Sequence, residues 1–249
     1  MNKDNTNKDN TGRGSTLPTS IIAIMLLAIV FSVSIAIADP IPAALTAIST
    51  ATRDVNSTIV ANISAVGGNV TELNIESLTI TTFWQGYYGN VTGQVVLDDA
   101  VGNRFYNWTT ATIAGEVYAS RNQTIDWDDL NCSNVTDRAE EEFDINMVAS
   151  DADSITNTYN STTHPAITVA GRTIAANTCY STYGYQRNVS GALANFTMVL
   201  LNSVNDTVYT TIINDSIMGF NGNVYDYELL VAEDEAAGVT PFYFWVELD

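Results

Sequence analysis

Three groups of residues in this 249-residue chain could do chemistry. The first is Phe83-Trp84-Gln85-Gly86-Tyr87-Tyr88-Gly89-Asn90-Val91-Thr92-Gly93, where aromatics and glycines crowd together. Aromatic faces pack against sugar rings, so Trp84, Tyr87 and Tyr88 are candidate glycan contacts. The same composition suits a strand whose glycines mark bulges and whose rings fill a core. The core reading is preferred, because the alternation of Thr79–Phe83 continues directly into Trp84. Tyr106-Asn107-Trp108 and Phe242-Tyr243-Phe244-Trp245 are then expected to supply facing core aromatics.

The second group is Asp126-Trp127-Asp128-Asp129-Leu130-Asn131. Asp126, Asp128 and Asn131 could offer oxygen ligands to a structural Ca2+, but the Gly and distal Glu of a twelve-residue calcium loop are missing. The third is the cysteine pair. Cys132 and Cys179 have no metal or catalytic signature around them, so a disulfide closing a loop of about 47 residues is expected.

Enzyme signatures are sparse, and no catalytic residue or cofactor is assigned. The one histidine, His164, precedes Pro165 in a Thr-rich stretch, which gives a triad or multi-histidine metal site little to build on. No phosphate-cradling Gly-x-x-x-x-Gly-Lys and no dinucleotide fingerprint occurs. An acid pair of the glycosidase kind stays open, because sequence does not reveal carboxylate separations. Nine basic against 28 acidic residues give a formal charge of −19, which excludes a phosphate-binding surface and hence nucleic acid as a partner.

Acceptors for N-glycans dominate the chain. Asn-x-Ser/Thr occurs at Asn56, Asn62, Asn69, Asn90, Asn107, Asn122, Asn131, Asn134, Asn160, Asn188, Asn195, Asn205 and Asn214. That is 13 of the 21 Asn beyond residue 38, where the Ser/Thr content predicts about 4 by chance. None of Asn2, Asn5, Asn7 and Asn10 forms such a site. Covalent N-glycans on the C-terminal part are therefore expected.

The element that would set this topology is Ile21–Ala38, 18 apolar residues broken only by Ser32 and Ser34. As a helix it would be about 27 Å long, enough to cross a hydrocarbon core. Lys3, Lys8 and Arg13 precede it and the next basic residue is Arg53, so the N-terminus is expected in the cytoplasm. Cleavage after Ala36-Ile37-Ala38 as a signal peptide is the alternative to a retained anchor. Beyond the span, six Arg against 26 acids give −20. A solvated acidic face explains this charge more simply than cation bridges between neighbouring subunits.

Outward from the span, Pro40 and Pro42 stop a helix, and 43–54 reads as a stalk. From Val55 the period becomes two. Strands are expected at Thr58–Ser64, Asn69–Ile80, Asn90–Leu97, Thr110–Ala119, Ala166–Ile174, Asn195–Leu201, Thr207–Ile213, Tyr225–Val231 and Pro241–Leu248. Turns fall at Gly67-Gly68 and Gly171, and Phe242, Phe244, Val246 and Leu248 share a face. A short helix capped at Asp137, with Glu140, Glu141 and Glu142 near its N-terminus, interrupts them. The expected fold class is mainly β: an N-terminal transmembrane helix followed by an extracellular β-sandwich or jelly-roll-like domain. The divisions are 1–19 cytoplasmic tail, 20–38 anchor, 39–54 stalk or linker and 55–249 extracellular domain.

The string Trp84-x-Gly86-Tyr87-Tyr88-Gly89-Asn90-Val91-Thr92-Gly93, with Phe105-Tyr106-Asn107-Trp108, Gly115-Glu116-Val117-Tyr118, Asn177-Thr178-Cys179 and Tyr243-Phe244-Trp245-Val246-Glu247-Leu248, resembles a group of uncharacterised archaeal surface proteins. The resemblance implies an archaeal envelope setting and brings no activity. Arg13-Gly14 before Ser15 resembles the leader of archaeal pilins, which are cut after the glycine. Three classes follow: a non-catalytic, membrane-anchored cell-surface glycoprotein with a structural or adhesive role, a pilin-like filament subunit processed after Gly14, and a glycan-binding module. Expected partners are the membrane, covalent N-glycans, and either further copies of the chain or surface glycans.

Overall fold

Strand formation follows the two-residue apolar period closely in the C-terminal half and less closely before residue 110. The computed structural model describes residues 39–52, 64–75, 78–109, 113–187, 196–234 and 238–248. The apolar run 20–38 and the predicted strand start at Thr58 lie outside them. Among the described residues, no helix is long and apolar enough to cross a membrane. The fold is mainly β with several sheets.

In chain order the strands are β1 (Ile41–Pro42), β2 (Trp84–Gly89), β3 (Gln94–Asp98), β4 (Arg104–Thr109), β5 (Gly115–Ser120) and β6 (Asn131–Cys132). Two helices follow, α1 (Val135–Asp144) and α2 (Ile155–Thr158). Then come β7 (Ile167–Val169), β8 (Arg172–Ile174), β9 (Ser181–Tyr183), β10 (Thr197–Ser203) and β11 (Asp206–Ile212). The chain ends with β12 (Ile217–Met218), β13 (Val224–Tyr225), β14 (Tyr227–Ala232) and β15 (Tyr243–Leu248).

The organising element is a seven-stranded antiparallel sheet in the order β1-β15-β5-β11-β10-β6, with β9 also on β10. Both of its faces are buried, and alternation decides which residue goes where. Val117, Ala119, Met198, Leu200, Tyr209 and Phe244 fill one core. Their sequence neighbours Tyr118, Val199, Leu201, Val208 and Trp245 fill the other. On the first face lie the β14–β2 ribbon, through Leu229, Val231 and Tyr87, and Ile155 and Tyr159 from around α2. On the second lie the β7–β8 hairpin and the turn Trp127–Asp129, whose carbonyls Asp128 and Leu130 accept from Arg172.

The expected turn at Gly171 is present: Ala170 and Gly171 both have positive φ, the geometry of a two-residue hairpin loop. The predicted stalk contributes β1, which pairs with β15 at Ile41↔Val246 and Pro42↔Trp245.

Three expectations need correction. The described parts of Asn69–Ile80 form no strand, although the turn at Gly67-Gly68 is present. A β-prone pattern makes a ladder only where a sheet edge accepts it, and here no described edge does. Next, α1 is capped by Asn134, whose side chain accepts from Thr136 N and Asp137 N while Asp137 closes the capping box. Glu141 and Glu142 thus fall in the later turns and point inward. Glu141 accepts from Tyr209 Oη at 2.8 Å and pairs with Arg121. Third, Phe105, Tyr106 and Trp108 are exposed on β4 instead of filling a core.

Candidate functional site: a cleft beside the Trp84 strand

The Trp84–Gly89 strand pairs in register with β14, setting Tyr88 opposite Glu228 and Gly86 opposite Leu230. Alternation divides the aromatic string between two environments. Tyr87 turns toward the large sheet and meets Phe244 edge-on, with ring centroids 5.0 Å apart. Burial there pushes its hydroxyl pKa up, helped by the nearby Glu233 charge. Trp84, Gly86 and Tyr88 fall on the other side of the strand and, together with Gln85 and part of Tyr87, line a cleft of about 830 Å3.

Trp84 forms one wall. Its Nε1 donates to Asp153 O at 2.6 Å and its ring lies 6.2 Å from that of Tyr159. Tyr88 stays exposed and packs against Phe220 and Tyr225. The opposite wall is Thr182, Tyr183, Gly184 and Tyr185, which continue from β9, and Asn157 and Asn160 lie around α2.

Glu228 is the one carboxylate among the lining residues. Two glycines make room for it, since a Cβ at Gly184 would collide with Oε2 and one at Gly219 with Oε1. Its Oε1 accepts from Phe220 N at 2.8 Å. Burial raises its pKa above the ordinary glutamate value, and the Phe220 N–H offsets part of that rise.

An acid with a raised folded-state pKa gives a definite pH signature. Below the unfolded-state value both states carry the proton, and the group costs nothing. As pH rises from the unfolded value toward the higher folded one, the unfolded chain ionises while burial keeps the native carboxyl protonated, so stability falls, and above the folded value the loss is complete. Glu228→Gln is therefore expected to be more stable than the parent at pH 7 and equal to it near pH 3. Urea unfolding across that range checks this, and a parent equally stable at both ends relative to the variant contradicts it.

Asp126 Oδ1 caps the Trp127–Asp129 turn by accepting from Asp128 N, and Asn131 Nδ2 donates to Asp129 O. Among the described residues, no group of three or more His, Cys, Asp or Glu side chains converges as a metal site would require. Cys132 and Cys179 are bonded, with Cα atoms 4.8 Å apart. His164 is buried, and its Nε2 accepts from Thr178 N and Cys179 N at 3.0 and 2.8 Å. Those two donors need a lone pair on Nε2, so the ring proton sits on Nδ1 and bonds Pro165 O. The histidine thus holds the loop that carries the disulfide. Asn56, Asn62, Asn188 and Asn195 lie outside the described residues. The other nine glycan acceptors are all exposed or half-buried, the accessibility that attachment needs.

Glu228, Tyr185 and Phe220 escaped the sequence reading. Tyr183-Gly184-Tyr185 repeats in miniature the glycine-and-tyrosine density of Gly86-Tyr87-Tyr88, and that was the signal available. Chemically, the cleft combines exposed rings with amide, hydroxyl and carboxylate groups. This set suits a neutral polyhydroxylated ligand and disfavours anions in so acidic a chain. Comparison with protein-family models, with curated proteins and with solved structures finds no match for this chain.

Proposed function

We propose that this chain is a non-catalytic, membrane-anchored cell-surface glycoprotein whose β-rich head has a structural or adhesive role. The observation that carries it is the Cys132–Cys179 bridge, a bond that persists in oxidising, extracytoplasmic compartments. The excess of accessible glycan acceptors supports the same compartment, and 20–38 would be the anchor with residues 1–19 in the cytoplasm. The β14–β2 ribbon laid over the large sheet supports a sandwich-like head. The adhesive part of the reading rests on the cleft, whose tyrosines and Glu228 suit a neutral saccharide.

The test is the mass and N-terminus of the chain purified from its native cells. An N-terminus at Met1 and a mass several kilodaltons above the polypeptide's 26.9 kDa, removed by deglycosylation, are expected. A start at Ser15 would indicate a pilin-like subunit, and a start at Asp39 a secreted protein. The bare polypeptide mass would remove the glycoprotein reading.

A further inference from the structure

The β3–β4 hairpin stands outside both cores. Among the described residues its two strands pair only with each other, and every residue of β3 is exposed. A two-stranded hairpin is marginal alone in water and normally needs an apolar cover. The register places Val95 opposite Trp108 and Leu97 opposite Tyr106, so these four side chains share one face. Tyr106 and Trp108 meet edge-on with centroids 4.8 Å apart. They remain 55% and 49% exposed, and Val101 and Phe105 toward the tip are each 82% exposed. The other face carries Asn107 opposite Val96, and Asn107 is a glycan acceptor.

We infer that this aromatic face is a self-association surface, packing face to face on the same hairpin of a second copy about a two-fold axis. Three observations select that occupant. The first is area: Val95, Leu97, Tyr106 and Trp108 present roughly 400 Å2 on one face, about half of the ~800 Å2 per partner of a standard interface, the size of a weak self-contact and within the range for a monomer's largest apolar patch.

The second is charge. Copies carrying −20 beyond residue 38 repel each other, but the hairpin is nearly neutral. It holds Asp98, Asp99 and Arg104, with Arg104 paired to Asp98 at 3.3 Å. Asp99 is engaged in its own turn, accepting from Val101 N and Asn103 N. Two copies can therefore meet here with little like-charge repulsion, whereas an anionic bilayer would repel the acidic head around the hairpin.

The third is glycan geometry. A sugar on Asn107 would project from the opposite face, so two hairpins packed through Val95, Leu97, Tyr106 and Trp108 would carry their glycans outward. The glycan argument rests on the proposed extracytoplasmic setting, whereas area and charge stand without it and without regard to what the cleft binds.

The test replaces Tyr106 with p-benzoylphenylalanine in the full-length chain and irradiates a mixture of isotopically heavy and unlabelled copies. Mixed-isotope cross-links joining residues 94–109 of one copy to 94–109 of the other are expected. Cross-links only within single-isotope chains, or only to other proteins or lipid, overturn the inference. Adding Leu97→Ser and Trp108→Ser, which leave the Asn107 acceptor intact, should lower the mixed yield at least tenfold. The thermal midpoint should hold, because the hairpin lies outside both cores. Persistence of the mixed yield in that variant also overturns it.

Discussion

Trp84→Ala is expected to destabilise the folded chain by about 2–3 kcal/mol, below the range for a fully buried ring because Trp84 is half-buried at the cleft wall. The ring packs against the cluster that contains Tyr159, Leu229 and Val231. Removing it also frees Asp153 O from its Nε1 donor, and Asp153 anchors Thr81 at the start of the strand through a 2.6 Å hydrogen bond. Tyr159, fully buried and bonded through its hydroxyl to Leu230 O, would face the resulting void. Equilibrium unfolding of parent and variant, run beside an array of neutral saccharides, separates the two roles of the aromatic string. Loss of stability together with any binding identifies Trp84 as a wall that shapes the cleft. A variant equally stable that no longer binds a defined sugar would make Trp84 a stacking platform and the head lectin-like.

Where the chain was legible, a local pattern and its tertiary use agreed. In β15 and the residue before it, Phe242, Phe244, Val246 and Leu248 fall on one face as alternation requires, with Tyr243 and Trp245 on the other. The Gly171 turn and the β10 and β11 strands follow from equally local signals. The disulfide was legible from compartment and count, since two cysteines leave one pairing.

The failures share a cause. Alternation says that a face is apolar but not what covers it. Phe105, Tyr106 and Trp108 have the composition of core residues, yet the neighbouring sheet that would bury them is absent from their own described fold. Leu73 and Ile75 sit likewise in an exposed, unpaired stretch. The cleft was half legible. Trp84 and Tyr88 came from composition, whereas Glu228 needed the pairing of β14 with β2 and the bare backbones of Gly184 and Gly219, which only the folded chain brings together.

Breaking the Cys132–Cys179 bridge is expected to cost about 4 kcal/mol by the loop-entropy estimate for 47 residues. Its position in the sheet makes the damage local. Strands β6 and β9 lie along the same edge of β10, pairing at Leu201↔Cys132 and Val199↔Ser181. Between them Leu200 N donates to Tyr180 O and Leu200 O accepts from Ser133 N, so the bridge staples the junction of two short strands. Each strand is too short to hold its edge position alone, whereas β11 is held on the other edge of β10 by six paired residues. Amide exchange in reductant should therefore rise first across β6, β9 and the His164 loop, while β10 and β11 retain protection. The covalent test is the Cys132→Ala, Cys179→Ala double variant. Alanine is needed, because serine at position 179 would turn Asn177-Thr178 into the start of a new glycan acceptor. Retained protection across β6 and β9, or a denaturation midpoint equal to the parent's, would show that the edge is held by strand pairing and packing without the bridge, and a uniform rise across the whole sheet would show that the damage is global.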